Sequence, residues 1–124
     1  MDPKTLINHA ITAQKRALCK YSNYPVGAAL LLKNNNVILG CNIESKAYPT
    51  TLCAERVAIF SALSQGFKDF LALALITNDG AYPCGSCRQI IYEYALDIPI
   101  YIANNNNNEF ITEKISNLLP YPFG

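Results

Sequence analysis

Ile98-Pro99-Ile100-Tyr101-Ile102-Ala103-Asn104-Asn105-Asn106-Asn107-Asn108-Glu109-Phe110 is the stretch on which the topology turns. The apolar run Ile98 to Ile102 predicts a strand, and Phe110 with its neighbours a short one after it. The connection from Ala103 to Glu109 is too short for a parallel crossover, which takes about a dozen residues or more. The last two strands are therefore expected to form an antiparallel hairpin. Asn104 to Asn108 reads as turn filler, because asparagine tolerates positive φ.

Outward from this hairpin the pattern is regular. Phe70 to Thr77 carries Leu and Ala on both parities, as a strand covered on both faces would. A helix is expected from about Cys84 through Ile90, Ile91 and Tyr94, and another from about Leu52 to Gln65, stopped by Gly66. Val26 to Leu32 and Val37 to Asn42 flank Lys33-Asn34-Asn35-Asn36, a hairpin signal. Pro3 to Lys20 reads as the opening helix, with Leu6, Ile7, Ala10, Ile11, Ala17 and Leu18 at helical spacing. At the other end Thr112-Glu113 is expected to cap a last helix ending at Leu119-Pro120. The order predicts an α/β fold, three-layer α/β/α with a five-stranded mixed sheet, in a single domain over residues 1–124.

Composition narrows the function. Ten Lys plus Arg against nine Asp plus Glu leave a net charge of +1, too little for the basic surface that holds a nucleic-acid backbone. Charged residues make up only 15% of the chain and hydrophobic ones 51%, which suggests that part of the surface is buried against another subunit. The longest apolar run, Phe70 to Ile76, is far short of the roughly twenty residues a bilayer requires. With no apolar signal segment after Met1 and an odd number of cysteines, a cytoplasmic location is expected, with thiols serving as metal ligands or bystanders. One histidine, His9, leaves little room for imidazole chemistry and reads as a surface helix residue.

Cys53-Ala54-Glu55-Arg56 and Pro83-Cys84-Gly85-Ser86-Cys87 carry the chemistry. Each begins a helix, where free amides and the helix dipole favour thiolate. Cys84 and Cys87 have the two-residue spacing of zinc thiolate sites, and Cys53 can supply a third ligand, the number a catalytic zinc takes. Glu55, beside the metal but not on it, is placed to move protons between water and substrate. The pattern is the three-cysteine form of the zinc nucleobase deaminase signature. Three thiolates on Zn²⁺ leave a net charge of −1, and the Arg56 guanidinium is expected to withdraw part of it by hydrogen bonding to sulfur. Arg88 reads as an ordinary solvated arginine. The rival is a structural four-cysteine zinc module with Cys41 as fourth ligand, or a Cys-x-x-Cys redox pair; Cys41, next to Asn42 on a strand, would face away from a site lined by Asn42 and Glu44. Cys19 has no partner at metal spacing.

Taken in order, these motifs resemble the small homotetrameric cytidine deaminases, over nearly the whole chain. Tyr21-Ser22, Val26-Gly27-Ala28-Ala29-Leu30, Gly40-Cys41-Asn42-Ile43-Glu44 and Cys87-Arg88-Gln89 look like family segments. The resemblance implies zinc-dependent hydrolytic deamination of cytidine and deoxycytidine, one Zn²⁺ per subunit, and active sites shared between the subunits of a homotetramer. It implies Cys53, Cys84 and Cys87 as ligands and Glu55 as the catalytic group that protonates N3 and then the leaving amino group. Asn42 and Glu44 would bind the ribose hydroxyls, the Ala54 amide the pyrimidine carbonyl, and Tyr48 a neighbouring subunit's sugar. Tyr24 matches a position that is usually Phe, where a ring packs along the nucleoside, and Phe123 a C-terminal aromatic that stacks on a neighbour's base. The partner is thus a free nucleoside, with no nucleic acid and no membrane. Blasticidin S deaminase is the alternative closest in size, and Asn42-Ile43-Glu44 favours the nucleoside.

Overall fold

In the computed structural model, which describes residues 1–107 and 109–124, five strands form one mixed sheet. They are β1 (Gly27–Leu32), β2 (Val37–Cys41), β3 (Phe70–Thr77), β4 (Ile100–Asn104) and β5 (Phe110–Glu113), in spatial order β2-β1-β3-β4-β5. Only β3 and β4 pair parallel, with Leu73 opposite Ile100; their connection contains a helix, as a crossover requires. β4 and β5 form the antiparallel hairpin that the short asparagine-rich connection demands. Asn108 itself lies outside the described residues.

Side-chain alternation along β1 divides the core. Ala28, Leu30 and Leu32 point to the face covered by α2 (Ala54–Ser64), α3 (Gly85–Ile90) and α4 (Ile115–Leu118), while Ala29 and Leu31 meet α1 (Pro3–Gln14) through Leu6, Ile7 and Ala10. Two glycines set how closely the helices approach the sheet. A Cβ at Gly27 would lie 2.0 Å from the Ala10 carbonyl oxygen on α1, and one at Gly40 would lie 2.3 Å from the Ala54 oxygen on α2. The start of α2 is thereby seated on the end of β2, beside Asn42. No helix among the described residues is long and apolar enough to cross a membrane.

Several boundaries differ from the expected ones, for identifiable reasons. α1 ends at Gln14 rather than Lys20, because Leu18 instead pairs with Ile43: its N–H donates to the Asn42 carbonyl at 3.0 Å, and its carbonyl accepts from the Glu44 N–H at 2.8 Å. β2 stops at Cys41 rather than Asn42, so Asn42 and Glu44 both lie beyond the strand. β4 begins at Ile100, two residues late, since Pro99 has no N–H to give a ladder. α3 passes into a π-helical turn over Ile91–Ala95. Thr112 and Glu113 cap nothing: they belong to β5, opposite Tyr101 and Ile100, and Lys114 precedes the four-residue α4.

Candidate active site

The starts of α2 and α3 meet at one end of the sheet. Cys53 is the residue before α2 and Cys84 the residue before α3, both extended, so each helix opens with its free amides next to a thiol. The sulfurs of Cys53, Cys84 and Cys87 lie within 4.8 Å of one another, and those of Cys53 and Cys84 are 3.8 Å apart. Tetrahedral zinc with Zn–S bonds of ~2.3 Å holds its sulfurs about 3.8 Å apart. The donor set therefore fits zinc in number, type and spacing. Among the described residues this is the one group of three or more His, Cys, Asp or Glu side chains close enough to hold a metal ion; Cys41 and Cys19 are not in it.

Charge at the cluster follows from its neighbours. Hydrogen bonding from Cys87, with further help from Arg56 and Cys84, brings the Cys53 thiol down to about 5 against the opposing effect of burial. The same pairing pushes Cys87 up, as two adjacent thiols sharing one proton must. Arg56 Nη2 stands 3.5 Å from Cys53 Sγ and 3.5 Å from the Thr51 carbonyl. Its Nε is buried without a hydrogen-bond partner among the described residues, and the hydrogen bond to Cys53 favours the charged guanidinium.

A cavity of about 290 Å³ opens over the cluster, close to the lower end of the ~300–1,000 Å³ range of small-ligand pockets. Cys53, Cys84 and Glu55 lie along its wall together with Tyr24, Asn42 and Glu44. Glu55 is only 5% exposed. Burial pushes its carboxyl up to about 7, the Cys53 charge adding to the rise while the Cys87 thiol and Arg56 work against it. Ala54, the first residue of α2, is fully buried beneath this wall.

Glu44 and Asn42 are held by the loop that precedes β1. The amides of Tyr21 and Ser22 donate to Glu44 Oε1 at 3.1 and 3.0 Å, and the Ser22 hydroxyl donates to Oε2. These bonds, the Ser22 hydroxyl foremost, keep the carboxyl below the ordinary carboxylate range. A carboxylate accepts about four hydrogen bonds, which leaves Glu44 one site. Asn42 spends one N–H on the Tyr24 carbonyl (2.8 Å) and accepts from the Val26 N–H (2.9 Å), which leaves one donor and one acceptor site.

Tyr48 and Phe123 stand apart from this constellation. Tyr48 is 75% exposed on a second depression that shares Glu44 with the main pocket. Phe123 is 87% exposed, its backbone tied to Gln89 by two hydrogen bonds. Neither ring enters the pocket of its own chain.

Four polar residues make long-range contacts that the sequence did not reveal. Asp79, after β3, accepts from the Tyr24 hydroxyl. Asn105 exchanges two hydrogen bonds with Gln14 at 2.8 and 3.0 Å, and Asn106 donates to the Asn78 carbonyl at 2.9 Å, so these members of the asparagine run brace the pocket loops as well as forming the turn, where Asn104 Oδ1 accepts from the Asn106 and Asn107 amides at 3.0 Å. Arg88 is not simply solvated: it donates to the carbonyls of Pro83 and Leu118, at 2.7 and 2.8 Å, and joins α3 to α4. A run of five asparagines flanking a strand was the available signal for the second of these; nothing local marked the other partners.

Residues 1–103 match the family model described as the cytidine and deoxycytidylate deaminase zinc-binding region. The chain is 42% identical to the cytidine deaminase of Sporosarcina psychrophila, across 99% of this chain and 92% of that one. It is 43% identical to the cytidine deaminase of Halalkalibacterium halodurans, across 99% and 95%. Among solved structures, cytidine deaminase from Burkholderia pseudomallei superposes with a TM-score of 0.95 at 35% identity, covering 99% of this chain and all of that one. With its sequence matched from end to end and its fold superposing at that level, the chain belongs to the cytidine deaminase family.

Proposed function

We propose that the protein hydrolyses cytidine and deoxycytidine to uridine and deoxyuridine with release of ammonia, using one zinc per subunit. The observation that carries this reading is Glu55, a buried carboxylate with a raised pKa of about 7, beside a three-sulfur metal site that opens on a pocket. A structural zinc site has no use for such a group. Blasticidin-S deaminase of Bacillus cereus also matches, at 31% identity over 82% of this chain, below the cytidine deaminases.

Cys53, Cys84 and Cys87 would hold the metal, and when bound it supplies a Lewis acid that lowers the pKa of a coordinated water to about 7. Glu55, able to hold or release a proton near neutrality, takes the proton of the attacking water and delivers it to N3 of the pyrimidine. It then carries the second proton to the amino group at C4, which leaves as ammonia. Arg56 holds the charge of Cys53 in check throughout. At the other end, the remaining acceptor site of Glu44 and the remaining donor of Asn42 meet the sugar hydroxyls, Tyr24 lies along the nucleoside, and the Ala54 amide takes the pyrimidine carbonyl.

The finer expectations belong to the same proposal. The chain acts as one domain, its two core clusters lying on opposite faces of one sheet. Tyr48 and Phe123 are offered to neighbouring subunits of a homotetramer, a role supported by their exposure. Five free cysteines fit a reducing, cytoplasmic setting and a place in pyrimidine salvage.

Zinc per chain and the change in cytidine absorbance, measured for wild type and Glu55→Gln, test the reading. The variant should keep its zinc and lose about 10³-fold or more in kcat. Zinc-loaded wild type that converts neither cytidine nor deoxycytidine would sink it.

A further inference from the structure

The Tyr24 hydroxyl has a task of its own, separate from the packing of its ring. Tyr24 is half-buried in the pocket wall, yet its hydroxyl donates not into the cavity but to Oδ1 of Asp79, a residue 55 positions later on the loop between β3 and α3. That loop leads through Ala81, Tyr82 and Pro83 directly to Cys84. The backbone of Tyr24 is fixed independently, its carbonyl receiving the Asn42 amide at 2.8 Å. Tyr24 therefore connects the Asn42 end of the pocket to the loop that delivers a metal ligand.

We propose that Tyr24 and Asp79 form a clasp across the pocket wall, with Asp79 the positioning residue that fixes the Tyr24 ring against the nucleoside; this rests on the deaminase reading above. Both partners are prepared for it. Asp79 is oriented by its own loop, accepting from the Thr77 hydroxyl at 3.3 Å and the Ala81 amide at 3.3 Å. Thr77 is 4% exposed, and its oxygen in turn caps the Gly80 and Ala81 amides at 2.8 and 3.0 Å. Both strands of chain are braced from behind by the asparagine run. Asn106 holds the Asn78 carbonyl next to Asp79, and Gln14, locked to Asn105, holds the Pro25 carbonyl next to Tyr24 at 3.1 Å. Burial and the bond to Asp79 keep the phenol protonated, so its single proton stays committed to the carboxylate.

A rigid ring presented at a set angle lowers the cost of ordering the site when substrate binds, and this gain is equal in ground and transition states. Losing the clasp should therefore raise KM far more than it lowers kcat. The test is a double-mutant cycle of Tyr24→Phe and Asp79→Ala in the zinc-loaded enzyme, with Asp79→Asn as rescue. Each single variant should raise KM for cytidine about three- to tenfold, and the double variant no more than Asp79→Ala alone. Asp79→Asn keeps an acceptor for the phenol and should stay within about twofold of wild type. Thermal unfolding of the same four proteins should show the same non-additivity. Additive effects, or a Tyr24→Phe enzyme with wild-type KM, would overturn the clasp. Should wild type convert no cytidine, the deaminase reading and the substrate-holding role fall together, and coupling in unfolding alone decides whether the bond is made.

Discussion

At the sulfur end of the pocket, every donor is set by a helix start: Cys53 and Glu55 by α2, Cys84 and Cys87 by α3. At the opposite end, Asn42, Glu44 and Tyr24 sit in irregular chain and are aimed by hydrogen bonds from residues 16 to 55 positions away. The first arrangement fixes side chains through backbone geometry within a few residues, and the second through polar contacts between separate loops. One end is suited to holding a metal and a proton carrier rigidly. The other is set residue by residue, and Tyr24 ties it to the loop that leads to Cys84.

The largest effect should come from breaking the sulfur end. Cys87 is fully buried and is one of the three sulfurs of the cluster. Cys87→Ala should lose its zinc and with it measurable cytidine turnover, whereas Glu44→Ala should keep one zinc per chain and act through KM. Metal analysis beside steady-state kinetics separates the two. Removing zinc from wild type with a chelator should likewise lower the unfolding temperature, because the metal binds the folded chain. If Cys87→Ala retained stoichiometric zinc, the assignment of the three sulfurs would have to be abandoned.

A smaller effect is expected at the joint between the two ends. Gly40 lets the Ala54 carbonyl come within reach of β2, and a methyl group there would lie 2.3 Å from backbone oxygen, where no side chain can swing aside. Gly40→Ala should cost about 3 kcal/mol, read from the midpoint of denaturant unfolding at constant slope. It should also displace the start of α2, weakening zinc and raising KM together. An unchanged midpoint would show that the helix can lift off the sheet at little cost.

How much of this could be read in advance follows the same division. The Cys-x-Glu and Cys-x-x-Cys spacings were legible because ligand geometry at a helix start is local, and Arg56 because it lies one turn from Cys53. The strand order near the end was legible because a short connection excludes a crossover. Asp79 and the bracing role of Asn105 and Asn106 were not, since hydrogen bonds spanning 55, 91 and 28 positions leave no periodic trace. The opening helix was overextended for a related reason. Ala17 and Leu18 keep helical spacing, but Leu18 finds better backbone partners in Asn42 and Glu44.

The finest adjustment lies at Ser22, whose hydroxyl is the main influence holding Glu44 below the ordinary carboxylate value of 4.5. A depressed folded pKa makes the ionised form the favoured one: its contribution is complete above pH 4.5 and fades only as pH falls through the lowered value. Glu44 should thus stay ionised, and ready to accept from a sugar hydroxyl, across the whole range from mildly acidic to neutral solution. Ser22→Ala leaves the two amide donors in place, so KM at neutral pH should rise only about threefold. Its KM should begin to climb at a higher pH than that of wild type, because the Glu44 pKa moves back toward 4.5. Comparing the two KM profiles on the acid side, with zinc content checked at each pH, isolates Glu44 from loss of metal. Parallel profiles would mean that the Tyr21 and Ser22 amides alone set the charge of Glu44, and that this end of the pocket is as backbone-determined as the other.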